Sequence, residues 1–179
     1  MALNRTERGS GVPRITFTDP ETWFAGLAGV VVAAGGLITD PLGRVLLVKP
    51  NYRDLWTLPG GICELAEPPQ DGCARELAEE LGLPVPVGRL LMVDWGLPHG
   101  PRARGMLHFV FDGGLLDEDA GIVVQESELD GYSFVAPADL EAHLPASGLR
   151  RIRGALRALA AGTTIYLPGE AGQEPSPGR

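Results

Sequence analysis

The chain has 179 residues, of which 44% are hydrophobic, and a formal net charge of −8. This length and composition predict one domain with a well-buried core. The acidic balance and the presence of a single lysine, Lys49, argue against binding to a nucleic-acid backbone, which requires a basic surface.

No segment predicts secretion or insertion into a membrane. The uncharged run 23–38 contains 16 residues with four glycines, which is shorter than the roughly 20 residues that span a bilayer, and it favours a buried strand. Cys63 and Cys73 lack a CxxC or histidine-rich spacing, so they are expected to be small buried residues in a reducing compartment. We therefore expect a cytoplasmic protein with neither a membrane nor a nucleic acid as partner.

The N-terminal part of the chain predicts a flexible segment followed by a hairpin. Residues 1–25 are assigned to the flexible segment, because the first 14 residues are rich in glycine, proline, serine and charge. Two strands are predicted over 30–38 and 44–48. The turn between them contains Pro41 and Gly43, which suit a hairpin connection.

A helix is predicted from Pro68 to Leu81. Pro68 and Pro69 suit its first turn, where a missing amide hydrogen costs nothing, and Gly82 suits its end. The helix therefore follows the second strand after a glycine-containing loop.

Three glutamates share one side of this helix. Glu76, Glu79 and Glu80 are spaced i, i+3 and i+4, which places their carboxylates within one third of the helix circumference. Their mutual repulsion is relieved if hard divalent cations bind between them, and oxygen ligands of this kind favour magnesium or manganese. An isolated ExxEE pattern is more often a solvated helix face, so the surrounding residues decide between these alternatives.

The surrounding residues complete a known signature. The pattern is Gly, five residues, Glu, seven residues and then Arg-Glu-apolar-x-Glu-Glu-x-Gly-apolar. Its fixed positions are filled by Gly61, Glu67, Arg75, Glu76, Leu77, Glu79, Glu80, Gly82 and Leu83. This stretch resembles the Nudix box of MutT-like hydrolases. Two neighbours depart from the usual family residues, since Ala66 and Pro68 stand where glycine and a small hydroxyl residue are common.

The resemblance implies roles for the residues of the box. Glu76, Glu79 and Glu80 would be metal ligands and catalytic residues, with Mg²⁺ as the cofactor and Mn²⁺ as a substitute. Gly61 would lend its carbonyl oxygen to the metal or shape the turn. Glu67 and Arg75 are expected to support the loop. The metal would neutralise and orient a diphosphate and activate the attacking water.

The general base is expected outside the box, on a loop before a late strand, although a base within the box stays a competing possibility. Residues 125–130 precede the strand-like residues 132–135 and fit this position. Glu128 is the first candidate and Glu126 the second.

The rest of the chain predicts alternating strands and helices. Strands are expected over 85–95, 105–112 and 132–135, and helices over 137–143 and 147–161. This order resembles the Nudix fold, an α/β/α sandwich with a mixed β-sheet between helices. The resemblance places the domain at residues 26–162, followed by a tail over 163–179 whose last ten residues are expected to be disordered.

Substrate-binding residues are less well defined by the sequence. Arg53, Trp95, Arg102 and Arg104 are candidates, because they lie near or on the loops that would rim a pocket. The later arginines Arg150, Arg151, Arg153 and Arg157 are interpreted as a solvated face of the last helix. His108, in an apolar strand, is interpreted as a satisfied core or sheet histidine.

The function implied by the resemblance is magnesium-dependent hydrolysis of a nucleoside diphosphate linked to another group. ADP-ribose and nucleotide sugars are candidate substrates, as are nucleoside triphosphates, including oxidised ones. Pro98 lies 15 residues beyond Leu83, a spacing that the resemblance associates with ADP-ribose. A nucleotide-sensing module without turnover and a relative of isopentenyl diphosphate isomerase are the alternatives. The resemblance also allows a homodimer.

Overall fold

The structure, a computed structural model, describes residues 19–169. A mixed sheet lies between two long helices, and a short exposed helix precedes it. The elements in chain order are α1 (Pro20–Ala25), β1 (Val31–Thr39), β2 (Val45–Pro50), β3 (Gly60–Ile62), α2 (Pro69–Leu81), β4 (Leu90–Gly96), β5 (Met106–Leu115), β6 (Leu129–Val135), a 3-10 helix (Leu140–Ala142), α3 (Ala146–Ala161) and β7 (Ile165–Leu167).

The sheet has the strand order β6-β2-β1-β5-β4-β7, and β3 pairs with β1 outside this path. The β1–β5 and β4–β7 pairs are parallel, whereas β2, β3 and β6 join through antiparallel pairs. The prediction of an α/β fold with a mixed sheet between helices is therefore confirmed.

Helix α2 packs on one face of the sheet through its apolar side. Leu77 and Leu81 are fully buried in a cluster with residues of β1 and β2, such as Ile38 and Leu46. Gly36 of β1 allows this close approach, because a Cβ there would lie 2.9 Å from Cδ1 of Leu77. The opposite side of the same helix is left facing the loop that contains β3.

Helix α3 covers the other face of the sheet. Leu149, Ile152 and Ala155 are buried against strand residues that include Leu47 and Met92. The two helices thus bury the two faces of β1 and β2, as expected for strands whose side chains alternate between faces.

Several predicted boundaries differ from the structure. The strand predicted over 85–95 begins only at Leu90, because Pro84 and Pro86 cannot donate ladder hydrogen bonds. The helix predicted over 137–143 is reduced to the 3-10 helix Leu140–Ala142. Strand β7 was not predicted, and it carries the sheet beyond residue 162, where the predicted domain ended.

The predicted terminal segments are described only in part. Within the N-terminal segment 1–25, Pro20–Ala25 forms α1, capped by the Asp19 side chain, and none of its residues is buried. The disorder expected over 1–14 and 170–179 concerns residues outside the described range. Between residues 19 and 169, no helix has both the length and the apolar character needed to cross a membrane.

Candidate active site

The loop that contains β3 lies directly against α2. The main-chain N–H of Gly60 donates a hydrogen bond of 2.6 Å to Oε2 of Glu80. Gly61 lies against the carboxyl group of Glu76, and a Cβ at position 61 would overlap its oxygens. A Cβ at position 60 would in addition overlap the main-chain oxygen of Ala34, so glycine is required there for this close approach.

Arg75 is the centre of the contacts that hold this loop. Its Nε and Nη2 donate to the two carboxylate oxygens of Glu67 at 2.9 and 3.0 Å, and Nη2 also donates to the carbonyl of Ile62 at 3.2 Å. The Arg75 bonds lower the pKa of Glu67. Glu67 Oε2 additionally accepts from the Glu64 N–H at 2.8 Å. This bidentate pair fixes the loop to the first half of α2.

The loop also contains a strained residue. Ala66 has φ of 65°, and it is the non-glycine residue with positive φ in the described part of the chain. The left-handed region favours glycine, the residue that the resemblance leads one to expect at position 66. Pro68 occupies the N-cap position of α2 and supplies no side-chain hydrogen bond, in contrast to a hydroxyl residue.

The three predicted metal ligands lie on one side of α2 but in different environments. Glu80 is 6% exposed, and burial raises its pKa to about 7. Burial likewise raises the pKa of Glu76, whose side chain is 16% exposed. Glu79 is half exposed. Burial and repulsion from neighbouring carboxylates thus make the charged forms of Glu76 and Glu80 costly.

Their oxygens are not arranged as a preformed metal centre. Glu76 and Glu79 each accept a hydrogen bond of 3.0 Å from Nη1 of Arg75, while Glu80 is bonded to Gly60. Within residues 19–169 no three or more Cys, His, Asp or Glu side chains stand as a metal-binding group. The chemistry of the donors nevertheless fits a divalent cation, because hard carboxylate oxygens with raised pKa values gain from a neighbouring positive charge.

Glu128 is held beside this cluster by main-chain contacts. The N–H of Gln125 donates to the carbonyl of Glu80 at 3.2 Å, and the N–H of Asn51 donates to the carbonyl of Glu128 at 2.9 Å. Glu128 is close enough that its charge contributes to the raised pKa values of Glu76 and Glu80. The structure therefore brings the first candidate base to the glutamate cluster.

A pocket of about 270 Å³ opens beside the loop. Its lining includes Gly60 and Gly61 together with residues of β1, β5 and α3. Arg53 contributes to the pocket, as expected. Lys49 supports the Arg53 segment by donating from Nζ to the Arg53 carbonyl at 2.6 Å.

The other three substrate-binding candidates do not line this pocket. Trp95 is half-buried in β4, and Arg104 is exposed. Arg102 donates from Nη2 to the carbonyl of Leu97 at 2.7 Å. Its charge still lowers the pKa values of His108 and Arg151, so it lies near the pocket without forming its wall.

Arg151 corrects the interpretation of α3 as a solvated arginine face. It lines the pocket and donates from Nη1 to Nδ1 of His108 at 2.7 Å. Its Nε lies 3.7 Å from Oδ2 of Asp94, which is 3% exposed. His108 also lines the pocket, so it is more than a satisfied sheet histidine. Helical periodicity could have shown in the sequence that Arg151 faces the protein. It is adjacent to Ile152 and three residues before Gly154, and both of these residues are buried.

Comparison with known proteins agrees with the fold and the box. The family model described as NUDIX domain matches residues 29–157. The chain belongs to the Nudix family. It is 31% identical over 109 residues to a MutT-like protein of Streptomyces ambofaciens, a match that covers 61% of this chain and 66% of the relative. The chain spans only 24% and 16% of the lengths of two further curated relatives.

Solved structures share the architecture. A crystal structure of a MutT protein from Methanosarcina mazei Go1 has a TM-score of 0.60 and 25% identity, covering 75% of this chain and 96% of that protein. An ADP-ribose pyrophosphatase from Streptococcus suis 89-1591 has a TM-score of 0.61 and 22% identity, covering 79% and 100%. The second likeness concerns the fold alone.

Proposed function

We propose that this Nudix protein is a magnesium-dependent hydrolase that cleaves the pyrophosphate bond of a nucleoside diphosphate linked to another group. The observation that carries the proposal is the contact of Gly60 and Gly61 with Glu80 and Glu76, at the mouth of a pocket large enough for a planar group. Family membership supports hydrolysis of a phosphoric anhydride, and divalent-metal dependence is general in the family.

Glu76, Glu79 and Glu80 would hold the cation, with the carbonyl of Gly61 as a further oxygen ligand. Bound there, Mg²⁺ would supply the positive charge that diphosphate cleavage requires and would activate water. The burial of Glu76 and Glu80 favours cation binding, because the free-energy cost of holding two buried charges falls when a cation binds between them. Glu67 and Arg75 would keep the loop in place.

Glu128 would act as the general base. Its loop is attached both to the end of α2, through Gln125, and to Asn51 at the end of β2, so main-chain contacts hold the carboxylate beside the box helix. Such an arrangement lets one group accept the water proton while other groups hold the phosphate. Glu126, on the same loop, and a glutamate of the box are the competing candidates for this role.

The proposed substrates are nucleotides with a second moiety on the diphosphate, of the ADP-ribose or nucleotide-sugar type, or nucleoside triphosphates such as oxidised deoxynucleotides. The pocket beside the loop can hold one planar group, and Arg53 at its rim adds positive charge toward phosphate. We expect hydrolysis of at least one member of this group.

The test is incubation of the purified protein with Mg²⁺ and a panel of these compounds in ¹⁸O-water, with products followed by mass. Hydrolysis incorporates one ¹⁸O atom, and the labelled product identifies the attacked phosphorus. Binding of nucleotides without turnover would instead support a sensing module, and a product of unchanged mass would support an isomerase.

A further inference from the structure

The pocket lining contains a half-buried arginine, Arg151, whose N–H donors are not all hydrogen-bonded. Arg151 donates from Nε to the Ser147 carbonyl at 3.2 Å and from Nη1 to Nδ1 of His108 at 2.7 Å. Within residues 19–169, its Nη2 group has no hydrogen-bond partner. Its side chain is 23% exposed and lines the pocket. Nη2 therefore presents N–H donors to whatever enters.

The contact with Arg151 also determines the protonation of His108. A guanidinium has donors and no acceptor, so Nδ1 of His108 must accept the hydrogen bond with its lone pair. The proton of the neutral ring then resides on Nε2. Burial and the charges of Arg151 and Arg102 lower the pKa of His108 to about 3, so the ring stays neutral at physiological pH. Because His108 lines the pocket, its Nε2–H is a second donor available to a ligand there.

The charge of Arg151 is partly balanced from behind. Asp94 lies 3.7 Å from Nε of Arg151 and accepts a hydrogen bond of 2.6 Å from Arg150. Because Arg150 shares this carboxylate, Arg151 keeps positive charge as well as its directional donors. Both properties suit a ligand group that presents hydrogen-bond acceptors.

Apart from Arg53, Tyr52 and Thr57, the rest of the pocket lining is apolar or glycine. Trp56, Phe109, Leu144 and Ile152 line it together with the glycines of the loop. A pocket of this composition suits a planar heterocycle, with a few polar groups that fix its orientation. The diphosphate attached to such a ring would extend toward Gly60 and Gly61.

We infer that Arg151 and His108 form a donor-only wall that selects nucleotides by the edge of the base, preferring oxo bases over amino bases. Guanine, hypoxanthine and uracil present carbonyl acceptors at the position where adenine and cytosine present an amino donor. A donor placed against another donor leaves both groups unpaired in a buried site, which discriminates strongly. The inference rests on the proposed function, and it names the base class for the same site.

The experiment uses two substrate pairs that differ in the oxo or amino group. ADP-ribose is compared with its 6-oxo analogue, and CDP-glucose with UDP-glucose, by kcat/KM with Mg²⁺. We expect the oxo member of each pair to be preferred about 10- to 100-fold by the wild-type protein. Arg151→Gln, which introduces an acceptor, is expected to reduce the ratio to within about threefold. Arg157→Gln, on the exposed side of α3, is the matched control and should keep the wild-type ratio.

A binding measurement separates this inference from the proposed function. The affinities of inosine diphosphate and adenosine diphosphate, measured by calorimetry, should show the same preference whether or not a substrate is cleaved. If no panel member is hydrolysed, the proposed function fails. The ratio of the two diphosphate affinities then still tests the base preference. If Arg151→Gln does not fold, His108→Phe, which removes the second donor and keeps a ring, is expected to reduce the ratio.

Three results would overturn the inference. The first is an oxo-to-amino ratio below about threefold in the wild-type protein. The second is an unchanged ratio in both folded variants. The third is an equal loss of kcat/KM for all four substrates in Arg151→Gln, which would show that Arg151 binds a group shared by them, such as the diphosphate.

Discussion

The buried carboxylate of Glu80 accepts a 2.6 Å hydrogen bond from the main-chain N–H of Gly60. This bond joins the last turn of α2 to the loop that begins the box, 20 residues earlier in the chain. It also holds one oxygen of a carboxylate whose pKa is about 7, at a position where a cation would stabilise the charged form. The relationship makes Glu80 both a link between two elements and the leading candidate for a metal ligand.

Replacing Glu80 tests the second of these roles. Glu80→Gln retains an oxygen that can accept from Gly60, but it removes the charge that a cation requires. We expect a loss of turnover of at least about 100-fold, since even residues that only orient metal ligands contribute about 10–100-fold. The fold should persist, because an uncharged side chain is less costly to bury than a carboxylate. Steady-state kinetics with Mg²⁺ and thermal melting measure the two effects.

The control for that variant is Glu64→Gln in the same loop. Glu64 is exposed and contributes its main-chain N–H and carbonyl to the loop contacts. We expect turnover within about twofold of wild type, as for other surface changes. Similar activities for the Glu80 variant and the wild-type protein would contradict the assignment of the metal site.

The role of Glu128 is tested by comparison with Glu126. Both residues are exposed carboxylates on one loop, and the charge of Glu128 contributes to the raised pKa values of Glu76 and Glu80. Glu128→Gln should lower kcat by about 10²- to 10⁴-fold with little change in Mg²⁺ affinity, whereas Glu126→Gln should retain activity. Single-turnover kinetics and a magnesium titration measure these effects. An inactive Glu126 variant beside an active Glu128 variant would assign the general base to Glu126. Full activity of both variants would favour a glutamate of the box as the base.

The stability of the protein should depend on the planar guanidinium of Arg75. Arg75→Lys keeps the positive charge but cannot donate in parallel to both oxygens of Glu67 while contacting Ile62. We expect a loss of about 1–3 kcal/mol in the free energy of unfolding, because these bonds are charge-assisted and partly buried. Urea denaturation provides the measurement. Arg153→Lys is the control, since its guanidinium makes one exposed contact of 3.5 Å with Glu141, and it should leave stability unchanged.

Ala66 is a position where a smaller residue should stabilise the protein. Its φ of 65° is unfavourable for a side chain with Cβ, and Ala66→Gly is expected to raise the free energy of unfolding by about 1 kcal/mol. Ala78→Gly, in the exposed part of α2, should lower it by about 1 kcal/mol. Denaturant titration of both variants distinguishes relief of local strain from a general effect of glycine. Destabilisation by both changes would show that position 66 is not strained.

The lowered pKa of His108 should make the free energy of unfolding depend on pH. Its pKa is about 3 in the folded protein, whereas an unperturbed histidine has a pKa of 6.5, so the unfolded chain binds more protons between these values. The stability contributed by the neutral ring is complete above pH 6.5 and is lost as pH falls toward 3. His108→Gln should flatten this dependence by roughly 1–2 kcal/mol at about pH 5. Melting curves at several pH values check it, and an unchanged slope would show that His108 titrates normally.

The sequence by itself determined the elements that depend on local pattern. The spacing of the box, Pro69 at the start of α2 and Gly82 at its end define a helix with an apolar side and a glutamate side, and the structure places that helix at Pro69–Leu81. The family followed from the same residues, because the whole spacing pattern is contained within one continuous segment.

Only the tertiary structure decided which residues meet across the fold. Strand β7 pairs with β4 through three residues, too few to give a periodic signal. Arg151 and His108 are 43 residues apart, and their contact depends on α3 crossing the sheet above β5. The same sequence pattern, an arginine on an amphipathic helix, is compatible with a solvated face or a buried wall. Packing decides between them, because it determines which side of the helix loses its water.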